Sequence, residues 1–146
     1  MVLPDTSIFI AAFCAWHEHH EIALKALAAA DKRESLAIAV PVIIETYAVL
    51  TRLPAPHRID PRSAADLIHT NLQSSELVAL PGRGCWKMLA DFARKEISGG
   101  LTYDALIVAC AAQVRARAVL TLNRRDFARI VPEEIAVECP IAETSS

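Results

Sequence analysis

The chain opens with MVLPDTSIFI (Met1 to Ile10), a short apolar run that is interrupted by a carboxylate and then resumes. The first four residues predict a buried strand, and the residues from Ser7 to Cys14 predict a helix. Pro4 lacks a backbone N–H, but this is tolerated because it lies next to the strand end. Asp5 therefore stands where a strand gives way to a helix.

The same change from strand to helix recurs along the 146 residues. Short apolar runs predict five strands, at 1–4, 36–40, 76–80, 118–122 and 135–138. Helices are predicted at 7–14, 17–30, 42–53, 60–72, 85–96 and 103–114, with one short helical turn at 124–129. Strands that are apolar throughout are typical of a parallel sheet with helices on both faces. We therefore expect an α/β fold, a three-layer α/β/α sandwich with a short, mainly parallel sheet.

Polar or turn-forming residues separate these elements. The segment 31–35 is predicted to be a connection, and 81–84 a turn. Thr102 is predicted to be the N-cap of the helix that begins at Tyr103. Residues 1–141 are expected to form a single domain, and 142–146 a frayed polar tail.

The composition is that of a globular protein, with 53% hydrophobic and 22% charged residues. A net charge of −2 provides no general attraction to nucleic acid or to an anionic membrane. If the substrate is RNA, binding must therefore depend on local arginines and on a bound cation. The longest early apolar run is too short to span a bilayer and no signal peptide is visible, so we expect a cytoplasmic protein with no membrane partner.

The four cysteines are Cys14, Cys85, Cys110 and Cys139. They show no CxxC spacing, which argues against a zinc site. Three of them (all but Cys85) lie in apolar runs and are expected to be buried free thiols, which suits a reducing compartment.

Five oxygen-bearing side chains are predicted to meet at one edge of the sheet. Asp5 follows the first strand, Glu45 lies one turn into the helix after the second strand, and Asp104 lies in the first turn of its helix. Asn123 is predicted to end the fourth strand, with Asp126 just beyond. In open parallel sheets, ligands bind outside the carboxyl ends of the strands. The residues are distant in sequence, so only the fold could gather them.

Each acid also has an ordinary structural interpretation. Asp5 could cap the helix that follows it. Asp104 could simply favour its helix N-terminus, by about 0.3–1 kcal/mol. Glu45 could lie on an exposed face. All three stand inside apolar runs, however, where an uncompensated carboxylate is costly, and this favours a joint functional role.

The repulsion between neighbouring carboxylates shows that such a cluster must be neutralised in part. Two carboxylates about 4 Å apart repel each other by roughly 4 kcal/mol at an effective dielectric constant of 20. The total stability of a domain is only about 5–15 kcal/mol. Either one acid is protonated, or a divalent cation neutralises the group. Oxygen ligands favour Mg²⁺ or Mn²⁺ over zinc or copper, and such ions act on phosphate esters.

At these positions the chain resembles a PIN domain, and within that family the VapC toxins of bacterial toxin–antitoxin pairs. The resemblance extends from Val2 to about Val137 and is carried by the order and spacing of its motifs. The matching segments are DTS at 5–7, PVIIETY at 41–47, YDALIVACA at 103–111 and TLNRRDF at 121–127.

The resemblance implies a Mg²⁺- or Mn²⁺-dependent endoribonuclease that acts as a toxin, forms a homodimer and is inhibited by a cognate antitoxin. Asp5, Glu45 and Asp104 match the family's three most regular acidic positions. The fourth position often follows the fourth strand, and here Asn123 stands there with Asp126 three residues later. Hydrolysis by metal-activated water would leave a 5′-phosphate and a 3′-hydroxyl.

The resemblance also implies a role for each residue of the site. Four residues are predicted to hold the metal ion, directly or through water: Asp5, Glu45, Asp104 and Asn123. The catalytic residues are predicted to be Asp126 and three of these ligands, Asp5, Glu45 and Asp104. Three hydroxyl side chains are predicted to orient Asp5 or to contact phosphate: Thr6, Ser7 and Thr121. Arg124 and Arg125 are predicted to contact the RNA backbone, although a solvated helix turn would explain them equally well. One metal ion is expected to be bound tightly, and a second to arrive with the substrate phosphate.

Other classes of protein fit the sequence less well. A receiver domain would need two adjacent acids after the first strand and a lysine after the last. A dinucleotide-binding domain would need GxGxxG after the first strand, and no P-loop is present either. A catalytically silent PIN-like module that binds RNA or protein remains open, although three retained acids argue against it.

The histidines and tryptophans receive no part in this scheme. His17, His19 and His20 are interpreted as exposed residues at the start of a helix. His57 is isolated in the sequence and is assigned no role. The two tryptophans, Trp16 and Trp86, are expected to be core or interface residues.

Overall fold

The computed structural model describes residues 1–33 and 35–141, and in these ranges it has a five-stranded sheet covered by helices. The strands are β1 (Val2–Pro4), β2 (Ala37–Ala39), β3 (Glu76–Val78), β4 (Ala118–Leu120) and β5 (Ala136–Glu138). The helices are α1 (Thr6–Phe13), α2 (His20–Arg33), α3 (Val40–Arg52), α4 (Pro61–Leu72), α5 (Cys85–Arg94), α6 (Leu101–Gln113) and α7 (Arg124–Ala128), with a short 3-10 helix at Gly82–Gly84. The predicted tail at 142–146 lies outside the described residues.

All described strand pairings are parallel. Strand β4 lies between β1 and β5, and β2 pairs with β3. A parallel bridge between Val2 and Leu36 joins the two groups, and the Val2 N–H donates to the Ser35 carbonyl at 3.0 Å. The strand order is therefore β3-β2-β1-β4-β5, with β1 at its centre.

The two faces of β1 pack against different helices. Val2 lies in an apolar cluster with Ile8 of α1 and Ala30 of α2. Its neighbour Leu3 lies in a larger cluster that includes Ile107 of α6 and Phe127 of α7. Because successive strand residues point to opposite faces, the sheet is covered on both sides. The predicted three-layer α/β/α sandwich is confirmed.

Two local predictions are wrong. Helix α2 continues to Arg33, so the connection predicted at 31–35 begins later. Basic residues at 32 and 33 are favoured in the last turn of a helix, which explains the extension. Helix α6 begins at Leu101, so Thr102 lies inside it and is not its N-cap. The Thr102 N–H instead donates to the carbonyl of Gly99, whose φ of +59° favours glycine.

Strand β3 departs from the expectation of strands buried on both faces. Leu77 is 54% exposed, because β3 lies at the edge of the sheet. Cys14 and Cys110 are buried free thiols, as predicted, whereas Cys139 is only half-buried. Among the described residues, no helix is both long and apolar enough to cross a membrane.

Candidate active site

The site lies where the strand order changes direction. The chain passes from β1 to β2 and β3 on one side, whereas β4 and β5 lie on the other. Crevices at such a switch point, outside the carboxyl ends of the strands, are the usual ligand sites of open α/β sheets. A cavity of about 610 Å³ opens here, and Asp5, Glu45, Asp104 and Asn123 line it. The structure therefore brings together four of the five predicted oxygen-bearing residues in one cavity.

Asp5 serves two purposes. It is the N-cap of α1, where its Oδ1 accepts from the Ile8 N–H at 3.2 Å. It also faces the cavity, although the residue is only 4% exposed. Burial raises the pKa of this carboxyl to about 6, against hydrogen bonds from Ser7, Thr121 and Ile8 that lower it. The capping role of Asp5 is therefore confirmed, and the cap leaves the side chain facing the cavity, where its functional role stays a prediction.

Ser7 and Thr121 have hydroxyl groups that are committed to Asp5. The Ser7 hydroxyl donates to Oδ1 of Asp5 at 2.6 Å, and the Thr121 hydroxyl donates to Oδ2 at 2.8 Å. Each hydroxyl oxygen in turn accepts a backbone N–H, from Leu122 at 3.0 Å and from Asn123 at 2.8 Å. A hydroxyl has one proton, so these contacts fix its direction toward the carboxylate. Ser7 and Thr121 are therefore positioning residues.

We expect Thr121→Val to lower cleavage activity by about 10–100-fold, the usual cost of losing a group that orients a metal ligand. The Mg²⁺ concentration that gives half-maximal activity should rise, because Asp5 loses one of the donors that orient it. Steady-state cleavage over a Mg²⁺ titration measures both effects. Thr121→Ser should restore activity. Thr51→Val is a matched control, since the Thr51 hydroxyl only donates to backbone carbonyls of its own helix. Equal activity in the two valine variants would contradict this role.

Thr6 contacts a different acid from its neighbour Ser7. Its hydroxyl donates to Oε2 of Glu45 at 2.6 Å, and this joins α1 to α3. Thr6 was expected to orient Asp5 or to contact phosphate, and in the structure it orients Glu45. The DTS segment at 5–7 therefore supplies one acid and positions two.

Asp104 is the acid most affected by the others. It is half-buried in the first turn of α6. The pKa of its carboxyl is raised to about 7, mainly by burial and then by the negative charges of Asp5, Asp126 and Glu45 in that order. These three acids thus lie within electrostatic range of Asp104, although they come from different segments of the chain.

Asn123 and Asp126, the two candidates for the fourth position, are hydrogen-bonded to each other. The Asn123 amide nitrogen donates to Oδ2 of Asp126 at 2.7 Å. Because the nitrogen makes this bond, the amide oxygen is the atom that Asn123 can offer to a cation in the cavity. The prediction that Asn123 ends β4 is wrong, since β4 ends at Leu120. The Leu122 N–H bonds to the Ser7 hydroxyl and not to a neighbouring strand, which ends the ladder early.

Comparison with known proteins agrees with this geometry. The sequence profile of the PIN domain matches residues 2–131. The chain belongs to the PIN domain family. It is 39% identical over 107 residues to ribonuclease VapC40 of Mycobacterium tuberculosis, covering 73% of this chain and 75% of that protein. It is 36% identical over 142 residues to ribonuclease VapC27 of the same species, covering 97% and 89%.

Solved PIN-type structures share the fold at lower sequence identity. VapC20 of M. tuberculosis, a toxin that cleaves the sarcin–ricin loop, superposes with a TM-score of 0.72 at 17% identity, covering 91% of this chain and 98% of that one. VapBC2 of Rickettsia felis, bound to a promoter DNA fragment, gives 0.68 at 19% identity, covering 95% and 98%. At these identities the likeness is one of fold.

The donors of this PIN domain fit a hard divalent cation. They are all oxygen atoms, and no lysine or arginine is among the described residues that line the cavity. The mutual repulsion that raises the pKa of Asp104 is the property that a cation would relieve. Within 1–33 and 35–141, no three His, Cys, Asp or Glu side chains are already arranged around a metal position. Mg²⁺ is usually held by one or two carboxylates, waters and substrate phosphates, and the carboxylates that line the cavity are donors of this kind.

The two arginines are exposed on α7. Arg124 lines a separate cavity of about 330 Å³ together with Arg33 and Glu138. Neither Arg124 nor Arg125 is among the described residues that line the cavity of the acids. Their contact with the RNA backbone stays a prediction.

Three residues that sequence reasoning left aside also line the active-site cavity of the PIN domain. They are His17, Glu18 and His19, in the segment between α1 and α2. The signal available in the sequence was the WHEHH segment at 16–20, directly after the helix that Asp5 caps. Trp16 is 49% exposed and Trp86 is 80% exposed, so neither is a core residue, and the alternative that they lie at an interface stays a prediction.

Proposed function

We propose that this PIN domain is an endoribonuclease that depends on Mg²⁺ or Mn²⁺ and acts as the toxin of a toxin–antitoxin pair. The observation that carries the proposal is the cavity where Asp5, Glu45 and Asp104 meet and where their charges help to raise the pKa of Asp104 to about 7. Strongly shifted acids in a cleft are a mark of functional sites. The relatives named ribonuclease, at 39% and 36% identity, support the same activity.

The residues of the chain would share the work as follows. Asp5 and Asp104 would hold the cation, and Asn123 would add its amide oxygen. When bound, Mg²⁺ or Mn²⁺ polarises a phosphoryl oxygen and makes water more acidic. Glu45, held by the Thr6 hydroxyl, would accept a proton from the attacking water. The water oxygen would bond to phosphorus while the bond from phosphorus to the 3′ oxygen breaks, and this oxygen would take a proton from solvent water. Asp126, bonded to Asn123, would add negative charge that strengthens cation binding.

The RNA products test this proposal. With Mg²⁺, the chain should cut RNA and leave 5′-phosphate and 3′-hydroxyl ends, as read by ligation of adaptors specific for each end. Cyclic 2′,3′-phosphate ends would contradict water as the nucleophile. Binding of RNA without any cleavage, across Mg²⁺ and Mn²⁺, would instead establish the silent PIN-like module.

The proposed partners follow from the resemblance to VapC toxins. A cognate antitoxin would inhibit the chain. The likeness to VapBC2 of Rickettsia felis, whose structure contains a fragment of promoter DNA, supports a toxin that works within such an assembly. We place the activity in the cytoplasm, where the four free cysteines of the chain would stay reduced.

A homodimer is the second proposed assembly, and α5 supplies the observation for it. None of the ten residues of this helix is buried in the single chain. Trp86 and Leu89 lie three residues apart, so they share one side of the helix, and they are 80% and 56% exposed. Large apolar side chains that remain exposed on one side of a helix are typical of interfaces.

Leu89→Asp is therefore expected to convert a dimer into a monomer, since a charge would be buried without a partner. Sedimentation velocity of the free chain would show the halved mass. Leu24→Asp is the matched control, because Leu24 is also partly exposed, at 42%, but lies on α2. A change of mass in the control alone would place the interface elsewhere.

A further inference from the structure

A row of four aromatic rings reaches the active-site cavity from the segment between α3 and α4. The ring of His57 stacks on Trp16 with centroids 4.1 Å apart. Trp16 is 6.0 Å from the ring of His17, which is 5.7 Å from that of His19. His17 and His19 line the cavity together with the acids. The row therefore connects a surface tryptophan with the proposed site of cleavage.

Trp16 is held in place and yet accessible. Its stack with His57 covers part of the indole, while 49% of the residue remains exposed. The main chain at His57 is held in a turn, because the backbone N–H of His57 donates to the Pro54 carbonyl at 2.9 Å. An exposed aromatic ring that is already fixed loses little side-chain freedom when a planar ligand stacks on it.

His17 adds a polar group to the row. Its Nδ1 lies 3.1 Å from the backbone N–H of His19 and accepts from it. In the neutral ring the proton is then on Nε2, which is a hydrogen-bond donor on a ring that lines the cavity. Base edges carry acceptors that such a donor can meet, as single-stranded RNA shows its Watson–Crick and Hoogsteen edges.

We propose that this row is a nucleobase subsite, in which a base of single-stranded RNA next to the cleaved phosphate stacks on Trp16. The proposal rests on the proposed ribonuclease function and adds to it a means of holding RNA in a chain with a net charge of −2. A half-exposed indole flanked by imidazoles and by Glu18 suits a planar polar ligand. A protein partner would favour a broader apolar face, such as that of α5.

The first experiment measures binding without cleavage. The chain has two tryptophans, so Trp86→Phe leaves Trp16 as the single tryptophan, and Trp16→Phe leaves Trp86. Adenosine 5′-monophosphate with Mg²⁺ should quench the fluorescence of Trp16 in a saturable way, with little effect on Trp86. Ribose 5-phosphate, which lacks the base, should quench neither. Equal quenching of both tryptophans, or none by the nucleotide, would overturn the subsite.

The second experiment measures cleavage. Stacking of one base on an aromatic ring corresponds to roughly 5–150-fold in binding. Trp16→Ala should therefore lower kcat/KM for RNA by a factor in that range, mainly through KM, and Trp16→Phe should restore most of it, which shows that the fold is retained. An RNA that is abasic at the stacked position should be cut equally well by the wild type and Trp16→Ala.

The outcomes distinguish the base subsite from the ribonuclease function on which it rests. A chain that cuts no RNA overturns the nuclease function, while nucleotide quenching of Trp16 still reports the base subsite. Normal cleavage by Trp16→Ala, without quenching in the binding experiment, overturns the subsite alone. Normal cleavage combined with weaker capture by the antitoxin would assign Trp16 to a protein interface, and this also overturns the proposal.

Discussion

Asp104→Asn is expected to lower kcat/KM for RNA by about a thousandfold or more, because in the proposed mechanism it removes a ligand from a cation that would contribute several kcal/mol to the transition state. The amide keeps the size of the side chain but carries no charge. Its effect therefore reports on the cation and on proton transfer, not on packing. Cleavage at saturating Mg²⁺ is the measurement.

The same substitution should raise the thermal stability of the metal-free protein at pH 8. The pKa of Asp104 is about 7, so the carboxylate is mostly ionised at pH 8. It then lies half-buried and within range of Asp5, Asp126 and Glu45. A neutral amide removes this repulsion. Loss of activity together with a gain in stability is the pattern expected of a functional acid.

A matched control separates this pattern from a general effect of charge. Asp66 is exposed on α4, and Asp66→Asn should change neither activity nor the unfolding temperature appreciably. Full activity of Asp104→Asn would remove Asp104 from the catalytic set. Lower stability of the same variant in EDTA would contradict the repulsion inferred here.

The position of the acids could be predicted from the sequence, because it follows from secondary structure alone. A strand that ends at Pro4 places Asp5 at the edge of a parallel sheet, whatever the side chains do. The first turn of α6 places Asp104 in the same way. Apolar surroundings then distinguish these carboxylates from ordinary surface acids.

The sequence indicates that Ser7 and Thr121 could orient Asp5, but which hydroxyl contacts which acid depends on which strands become neighbours. Thr121 and Asp5 are 116 residues apart and meet only because β4 pairs with β1. The choice of Thr6 for Glu45 and of Ser7 for Asp5 depends on side-chain direction at the start of α1. The spacing in the sequence places the hydroxyls of Thr6 and Ser7 near the site but does not show which acid each one contacts.

The ring row could not be predicted for a related reason. Trp16 and His57 lie in two irregular segments, where no periodicity shows which side chain faces the other. A large apolar ring is also expected to be buried, and this general rule led to the wrong environment for Trp16. Exposed aromatic residues in loops are where such rules fail and where binding sites are common.

Removal of divalent ions is the second large effect. Excess EDTA should stop cleavage, and it should leave a protein whose stability falls as the pH rises. The pKa values of Asp5 and Asp104 in the folded chain are about 6 and about 7, above the ordinary value of 3.8. The folded state therefore holds more protons than the unfolded state between pH 3.8, the ordinary value, and the raised values of about 6 and about 7. The stability associated with the two acids is lost as the pH rises through about 6 and 7.

Mg²⁺ should reverse this trend. A cation that binds only the folded chain stabilises it, and it competes with protons for the same carboxylates. The gain in unfolding temperature on adding Mg²⁺ should therefore be small at pH 5.5 and larger at pH 8. Thermal unfolding in EDTA and in Mg²⁺, across this range, measures both trends.

Other titrating groups also contribute, and His17 contributes with the opposite sign. Burial lowers the pKa of His17, so below pH 6.5, its ordinary value, the unfolded chain binds more protons than the folded one. The folded chain therefore becomes more stable as the pH rises toward 6.5. The decisive quantity is therefore the difference between the wild type and a variant with both Asp5→Asn and Asp104→Asn. That difference in unfolding temperature, measured in EDTA, should favour the variant increasingly from pH 5.5 to pH 8. A constant difference would mean that the two acids titrate as ordinary surface carboxylates, and the charge argument for a cation at this cavity would then fail.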